Sequence, residues 1–357
     1  MNKKLINSIL LVIALLVGII YGIIIHKYEV FPYRIIKKIF NDLTTDESVT
    51  ENQTSKEQSP FYDLWSIGIF EGPSPFDLSA PEDVSNPVIE VKDIIDIDAS
   101  YVADPFMMIE DDKYYLFFEV FNWETYQGDI GYAESPDGHN WEYKKIIIDE
   151  TFHLSYPYIF KWEDDYYLIP ESHEDLAVRL YKAVSFPDQW EYMGNLIAGY
   201  HFVDPSIFRY NDKWWLFVAT TPDDGVMNLY YSNNLLGDWK LHPMNPIVKL
   251  DNHIARPAGR VFTYNDHFYR LAQDCYTEYG LQVFAFEITE LTEKSYAEKV
   301  ISDEPIVTKS GNGWNAAGMH HVDLHKIGDR WIASVDGRKK IEKPNEVRYK
   351  NNLPKPH

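Results

Sequence analysis

The sequence predicts an all-β architecture: a five-bladed β-propeller closed by N-terminal strands and preceded by one transmembrane helix. Three observations predict the propeller. One hairpin motif recurs five times between residues 103 and 336. Its leading prolines Pro105, Pro157, Pro205 and Pro257 fall 52, 48 and 52 residues apart, which suits one four-stranded blade per repeat. Finally, no long amphipathic helix pattern occurs from residue 61 to 337.

Each unit opens with an apolar strand, turns at Asp or Asn, and returns as an aromatic strand, which is a hairpin with a polar turn. The five units are residues 103–119, 155–171, 203–219, 255–273 and 320–336. A third strand follows the first three, at residues 128–133, 178–183 and 227–232. Outer strands then open at Trp141, Trp190 and Trp239; blade four has residues 282–286 followed by Tyr296. Blade five lacks outer strands after its hairpin, and they are expected at the front of the domain. There, residues 66–70 resemble a third strand. Asn86-Pro-Val-Ile matches the endings Asn245-Pro-Ile-Val and Glu304-Pro-Ile-Val. The ring is thus expected to close by joining residues 65–91 to residues 320–336 in one sheet, removing its open edges. The propeller is read as residues 61–337, and the basic, Pro-containing residues 338–357 as a loose tail.

Ahead of the propeller, residues 5–25 carry no charge. At ~1.5 Å per residue they cover roughly 30 Å, one hydrocarbon core. His26-Lys27-Tyr28 follows, not a small-residue cleavage site, so an uncleaved anchor is expected. Residues 1–40 therefore form an anchor and juxtamembrane segment, with Phe31, Tyr33, Arg34, Lys37 and Lys38 at headgroup level. Residues 41–60 are polar and read as a flexible stalk. Lys27, Arg34, Lys37 and Lys38 outnumber Lys3 and Lys4, which favours a cytoplasmic domain. The very short cationic tail has the form of a signal anchor, and the expected result is a single-pass membrane protein with an extracytoplasmic propeller.

Composition narrows the partners. A net charge of −22 excludes nucleic acid, whose phosphates need a basic surface. Cys275 is the one cysteine, so no intrachain disulfide is possible. Aromatic residues make up 15% of the chain and Tyr leads them with 26, a load that suits blade cores and sugar faces.

In an antiparallel hairpin the start of the first strand lies beside the end of the second. Reading round the ring pairs Asp104 with Glu119, Tyr156 with Glu171, Asp204 with Ala219, Arg256 with Gln273, and His321 with Asp336. All five pairs fall at the same end of the innermost strands, where the blades converge on one funnel. Arg260, Asp274, His320 and Asp323 lie within a few residues of them. Carboxylates accept hydrogen bonds from sugar hydroxyls, and aromatic faces pack on sugar C–H faces. The expected ligand is therefore a carbohydrate or glycoconjugate, held by Glu119, Tyr156, Arg256, Arg260, Gln273, Asp274, His320 and Asp336. One Asp-Pro is plain turn chemistry, whereas two at the same repeat position point to function. Glu119 and Glu171 have a second reading, as partners of Arg256 or Arg260 in a buried structural network. Two histidines without a third fixed partner assign no metal, and no cofactor is expected.

These residues carry a resemblance. The segments Trp65-Ser-Ile-Gly-Ile-Phe, Val102-Ala-Asp-Pro-Phe, Phe152-His-Leu-Ser-Tyr-Pro-Tyr, Val203-Asp-Pro-Ser-Ile-Phe, Ala255-Arg-Pro-Ala-Gly-Arg, Ala272-Gln-Asp-Cys-Tyr and Gly318-Met-His-His-Val-Asp resemble the N-terminal domain of glucosamine inositolphosphorylceramide transferases. The resemblance runs from about residue 60 to 337. Plant members carry a separate glycosyltransferase domain after the propeller. None is expected in this chain, and transferase activity is not carried over. More distantly, the layout is similar to five-bladed glycosidases of the arabinanase and xylosidase type. That similarity implies Asp104 as general base and Asp204 as the carboxylate that tunes the acid. The acid itself, a Glu in those enzymes, is matched here by Arg256, which leaves Glu119, Glu171 or His321 to supply the proton. Two functions remain open: a membrane-anchored, glycosidase-like enzyme acting on cell-surface or exported glycans, or a non-catalytic glycan-binding propeller that accompanies a glycan-modifying system.

Overall fold

The computed structural model describes residues 61–220 and 224–342, which form five antiparallel sheets. The anchor and stalk expected over residues 1–60, and the tail from residue 343, lie outside the described residues. Among the described residues no helix is long and apolar enough to cross a membrane; three single-turn 3₁₀ segments are the helical structure there.

Blade one is Ala99–Glu110, Lys113–Asn122, Gln127–Ser135 and Glu142–Ile148, ordered from the axis outward. Blade two is Ser155–Trp162, Asp165–Glu171, Ala177–Ser185 and Gln189–Ala198. Blade three is Val203–Tyr210, Lys213–Ala219, Met227–Ser232 and the short Lys240–Leu241. Blade four has a split inner strand, Arg256–Pro257 and Phe262–Tyr264, then His267–Asp274, Gln282–Leu291 and Tyr296–Val300. The hairpins turn where polar residues tolerate the left-handed region: Asp111-Asp112, Asn211-Asp212 and Asn265-Asp266 all have positive φ. Such turns match the twist of the flanking strands.

Blade five combines the two ends of the described chain. Val322–Ile327 and Arg330–Glu342 pair with Phe61–Ser74 and Asp77–Ser79. Closure by N-terminal strands is therefore observed, with two differences. The outer strand is Asp77–Ser79, whereas residues 86–89 add one bridge, Ile67 to Ile89. There the Asn86 side chain exchanges two hydrogen bonds of 2.8 Å with the Ile69 backbone, as Asn245 does with Leu229 at 2.8 and 2.7 Å in blade three. The repeated Asn-Pro is thus a clamp on a strand edge. Secondly, the last strand runs past the boundary expected at Gly337. Arg338 to Glu342 continue the ladder with Leu64, Trp65 and their predecessors, since their amides find partners on Phe61–Ser74.

The core lies between blades. Phe106, Tyr158, Ile159, Leu168 and Leu216 belong to one buried cluster spanning blades one to three. Ile67, Ile69, Met107, Leu116 and Ile332 join blade five to blade one. At roughly 25 cal/mol per Å² of apolar area, this face-to-face burial is the main force holding the ring together.

Candidate functional site

The repeat phase places the polar residues at the funnel, but the pairing differs by one residue in three blades. Glu119 faces Ala103, Glu171 faces Ser155 and Ala219 faces Val203; Arg256 pairs with Gln273 as expected, and the blade-five register, ending at Val322 with Val335, sets His321 opposite Asp336. Asp104, Tyr156 and Asp204 instead occupy bulges, with φ of 55°, 48° and 51°. Left-handed backbone costs a residue with a Cβ about 1–2 kcal/mol. Each strained amide is capped by a carboxylate: Asp104 N–H donates to Asp336 at 3.1 Å, Tyr156 N–H to Asp104 at 3.3 Å, and Asp204 N–H to Glu171 at 3.0 Å. Carboxylates thereby bind one blade to the next around the axis.

This network divides the candidate residues. Asp336 accepts the amides of His320 and His321, both at 3.0 Å, besides that of Asp104, and contacts His320 Nδ1 at 2.7 Å. Its oxygens are spent. Asp104, His320 and Asp336 are the one grouping among the described residues close enough to share a cation, yet the saturated Asp336 leaves that set poorly suited to it. Tyr156 is fully buried, its hydroxyl engaged by Ser206 Oγ at 2.9 Å and the Gly259 amide at 2.6 Å. Gly259 is required there, because a Cβ at φ +140° would meet the Val322 carbonyl at 1.9 Å. Arg260 donates to Asp323 and to the carbonyls of Met107 and Ile159, tying blades one, two, four and five below the funnel. Tyr156 and Arg260, expected to hold ligand, are thus structural ties of the axis. Asp274 serves its own loop, accepting from Tyr276 N–H and Gln282.

His321 is fully buried, with Phe106 and Tyr156 packed edge-on against its ring. Burial outweighs the pull of Asp336 and holds it down to about 4. An imidazole that is neutral at pH 7 and shut off from the funnel is no general acid. Glu171 fails in the same role for the opposite reason. Burial works against its charge, but His173 at 2.8 Å and Arg256 prevail and bring it to about 2. Both of its oxygens are engaged, one by His173 and one by Asp204 N–H.

Three carboxyls behave otherwise. Burial pushes Asp104 up to about 7, with His320 pulling it back and Asp336 and Glu171 adding to the rise. Burial likewise raises Asp204 to about 8, against the pull of Arg256, whose Nε donates to it at 2.7 Å while Gln273 donates at 2.9 Å. Glu119 is raised well above the carboxylate range, by burial and then by Asp104. It accepts the Tyr101 hydroxyl at 3.0 Å.

Several neighbours escaped the repeat reading because they lie on loops. Tyr279 carries Arg256 over its ring at 5.2 Å and meets Trp65 and His320, which stack at 4.0 Å. His153 accepts the Gly128 amide at 2.8 Å and faces Glu119 at 3.6 Å. His173 and His201 continue this row of rings, at centroid spacings of 5.9 and 6.1 Å. Trp123, Tyr200, Tyr276 and Tyr279 are exposed, on loops leaving the funnel ends of the strands. The one signal available in the sequence was position: each follows a second strand or precedes an inner one. A groove of about 530 Å³ lies at the opposite, hairpin-turn ends of blades one and five, lined by Asp112, Tyr114 and His325, and takes no part in the funnel.

Comparison with known proteins agrees with the resemblance read from the segments. The sequence model described as "Glucosamine inositolphosphorylceramide transferase 1, N-terminal" matches residues 62–338. The glucosamine inositolphosphorylceramide transferase 1 of Oryza sativa subsp. japonica is 35% identical over 296 residues, covering 76% of this chain and 40% of the rice protein. The Arabidopsis thaliana protein of the same name is also 35% identical, covering 76% of this chain and 39% of its own length. The chain therefore spans about two fifths of these curated relatives. Among solved structures, a glycosyl hydrolase from Bacteroides ovatus superimposes with a TM-score of 0.52 at 12% identity, over 72% of this chain and 92% of that one. At that identity the likeness concerns the fold.

Proposed function

Because the chain belongs to the glucosamine inositolphosphorylceramide transferase 1 N-terminal family, we propose that its propeller is a carbohydrate-active domain whose funnel acts on a glycosidic bond of a cell-surface or exported glycan. The observation that carries this reading is Asp104. It is a buried carboxyl at the floor of the funnel, brought to about 7, the range in which a general base works best at neutral pH. One of its oxygens caps Tyr156; the other has His320 and His321 no closer than 3.8 Å. Glu119, Asp204 and Arg256 surround it with donors and acceptors for hydroxyls, and the exposed aromatics of the loops supply stacking faces.

Anchoring to a membrane through residues 5–25, with the propeller outside the cytoplasm, belongs to the same proposal and rests on the length and flanks of that apolar run. Protease added to intact cells or spheroplasts should then cut between residues 41 and 60 and release a folded domain. Full protection until lysis would contradict it.

The test of function is a glycan-array screen of the full chain, with reducing-sugar release measured on each hit. Asp104→Asn should abolish release while ligand affinity stays within about tenfold, roughly 1.4 kcal/mol. A second reading is a non-catalytic glycan receptor. The Arg256–Asp204 pair favours it, since an arginine stands where related-looking glycosidases hold their acid. Tight array hits without any release would select that reading.

A further inference from the structure

The hydrolytic reading leaves one role vacant. Arg256 cannot donate a proton, Glu171 is held ionised, His321 is sealed in the core, and Glu119 is buried with its Oε1 taken by the Tyr101 hydroxyl. A glycosidic oxygen still needs a proton as its bond to the sugar carbon breaks. We propose that His173, held in place by Glu171, is the residue that hands this proton to the departing oxygen. The proposal rests on the hydrolytic reading above and names its missing acid.

His173 opens the 3₁₀ turn His173–Asp175, directly after the second strand of blade two reaches the funnel. Its Nδ1 lies 2.8 Å from Glu171 Oε1. The other oxygen of Glu171 receives Asp204 N–H at 3.0 Å, so the carboxylate is fixed from two sides. A carboxylate at Nδ1 keeps a proton on that nitrogen and directs acid–base work to Nε2. Nε2 of His173 makes no hydrogen bond among the described residues, and the side chain is 21% exposed. The neighbouring histidines are built differently. His153 spends Nδ1 on Gly128 N–H and turns Nε2 toward Glu119. Nδ1 of His201 meets the His173 carbonyl at 3.1 Å. His253 also meets a carboxylate, Asp274 at 3.1 Å, but stands at the rim, stacked on Tyr276 and half exposed.

The groups facing His173 are Glu171 from its own blade, Glu174 on its own turn, Arg256 from blade four, and the rings of His153 and His201. Burial and Arg256 oppose its charge; Glu171 and Glu174 favour it and prevail, so its affinity for a proton is raised. Glu171 faces Ser155 in its hairpin, and the next residue, Tyr156, gives its amide to Asp104, so the dyad stands one blade from the base. In the step itself, the Nε2 proton of the imidazolium passes to the glycosidic oxygen as the carbon–oxygen bond breaks. Water bonds to the sugar carbon and gives its proton to Asp104. Solvent then reprotonates His173 and accepts the proton of Asp104.

Leaving groups of different basicity test this. The probes are paired phenyl and 2,4-dinitrophenyl glycosides of common hexoses and pentoses, since dinitrophenolate departs without a proton. With the full chain, His173→Gln should lose about 100-fold or more in kcat/KM on the phenyl member. It should stay within about tenfold of wild type on the dinitrophenyl member. Asp104→Asn should lose both. Equal losses on the two members, or none, in His173→Gln overturn the proposal while leaving hydrolysis standing. Wild-type protein that cleaves neither member of any pair overturns the hydrolytic reading and the proposal with it. An NMR titration of the His173 ring supplies a readout free of turnover. Its pKa should fall in Glu171→Gln, a variant that keeps one acceptor for Asp204 N–H; an unchanged value overturns the positioning role.

Discussion

The Asp336 carboxylate of blade five accepts the amide of Asp104 in blade one at 3.1 Å, so the C-terminal hairpin is tied to blade one as well as to the N-terminal strand of its own sheet. With the His320 and His321 amides, three buried N–H groups depend on this one side chain. Asp336→Ala should leave them without an acceptor. The expected cost is about 3 kcal/mol or more, seen by scanning fluorimetry as a fall in Tm of at least ~5 °C. Asp336→Asn keeps one acceptor oxygen and should fall between. A Tm within a degree of wild type for Asp336→Ala would show that the contact does not carry the junction.

The funnel should also set the pH profile of stability. Asp104, Asp204 and Glu119 have folded pKa values raised by burial, so the folded state retains protons that the unfolded chain gives up above the carboxylate range. His173 and His320 are raised as well, Glu171 and Asp336 outweighing burial. Stabilisation by raised groups is present below the unfolded pKa and lost as pH rises through the folded one. Glu171 and Asp336 are lowered, and their contribution is constant in this window. The loss is complete near pH 7 for Asp104 and near pH 8 for Asp204, so Tm should decline from about pH 6.5 to about pH 8, with a shallower slope in Asp204→Asn. A Tm that climbs over that interval would reject the assignment.

Arg256→Met separates charge from shape. It removes the partner of Asp204 and the cation above Tyr279. Glu171 also loses one of the charges that keep it ionised. Binding of uronate- or phosphate-bearing glycans should weaken by about tenfold or more, roughly 1.4 kcal/mol, with neutral glycans less affected. Isothermal titration of matched neutral and anionic array hits makes the comparison; equal losses for both classes would assign Arg256 to architecture alone.

At the rim, Trp123 is 43% exposed and lies 5.3 Å from Tyr126. Trp123→Ala should leave Tm within about a degree of wild type, because little core is removed. Affinity for oligosaccharide hits should drop by about 1–2 kcal/mol, as a stacking face is lost. Unchanged affinity would place the bound glycan away from this side of the funnel.

The repeat was legible along the chain: polar turn pairs, aromatic returning strands and near-constant Pro spacing are local patterns, each with one physical solution, and they yield the blades and the closure by N-terminal strands. The same phase brought Asp104, Glu119, Glu171, Asp204, Arg256, Gln273, His320 and Asp336 to one end of the inner strands. Their roles came from how the blades pack. The bulges at Asp104, Tyr156 and Asp204 shift pairing by one residue, and a count along ideal strands cannot register a residue with positive φ. Burial pushes all of these carboxyls up, and their neighbours then separate them: His173 and Arg256 bring Glu171 down, while Asp104 and Glu119 stay raised. That difference depends on neighbours from other blades, many of them on loops such as those of His173 and Tyr279, whose positions no repeat encodes. Charge state is a property of the assembled funnel, because the electric field at each carboxyl is summed over the whole ring.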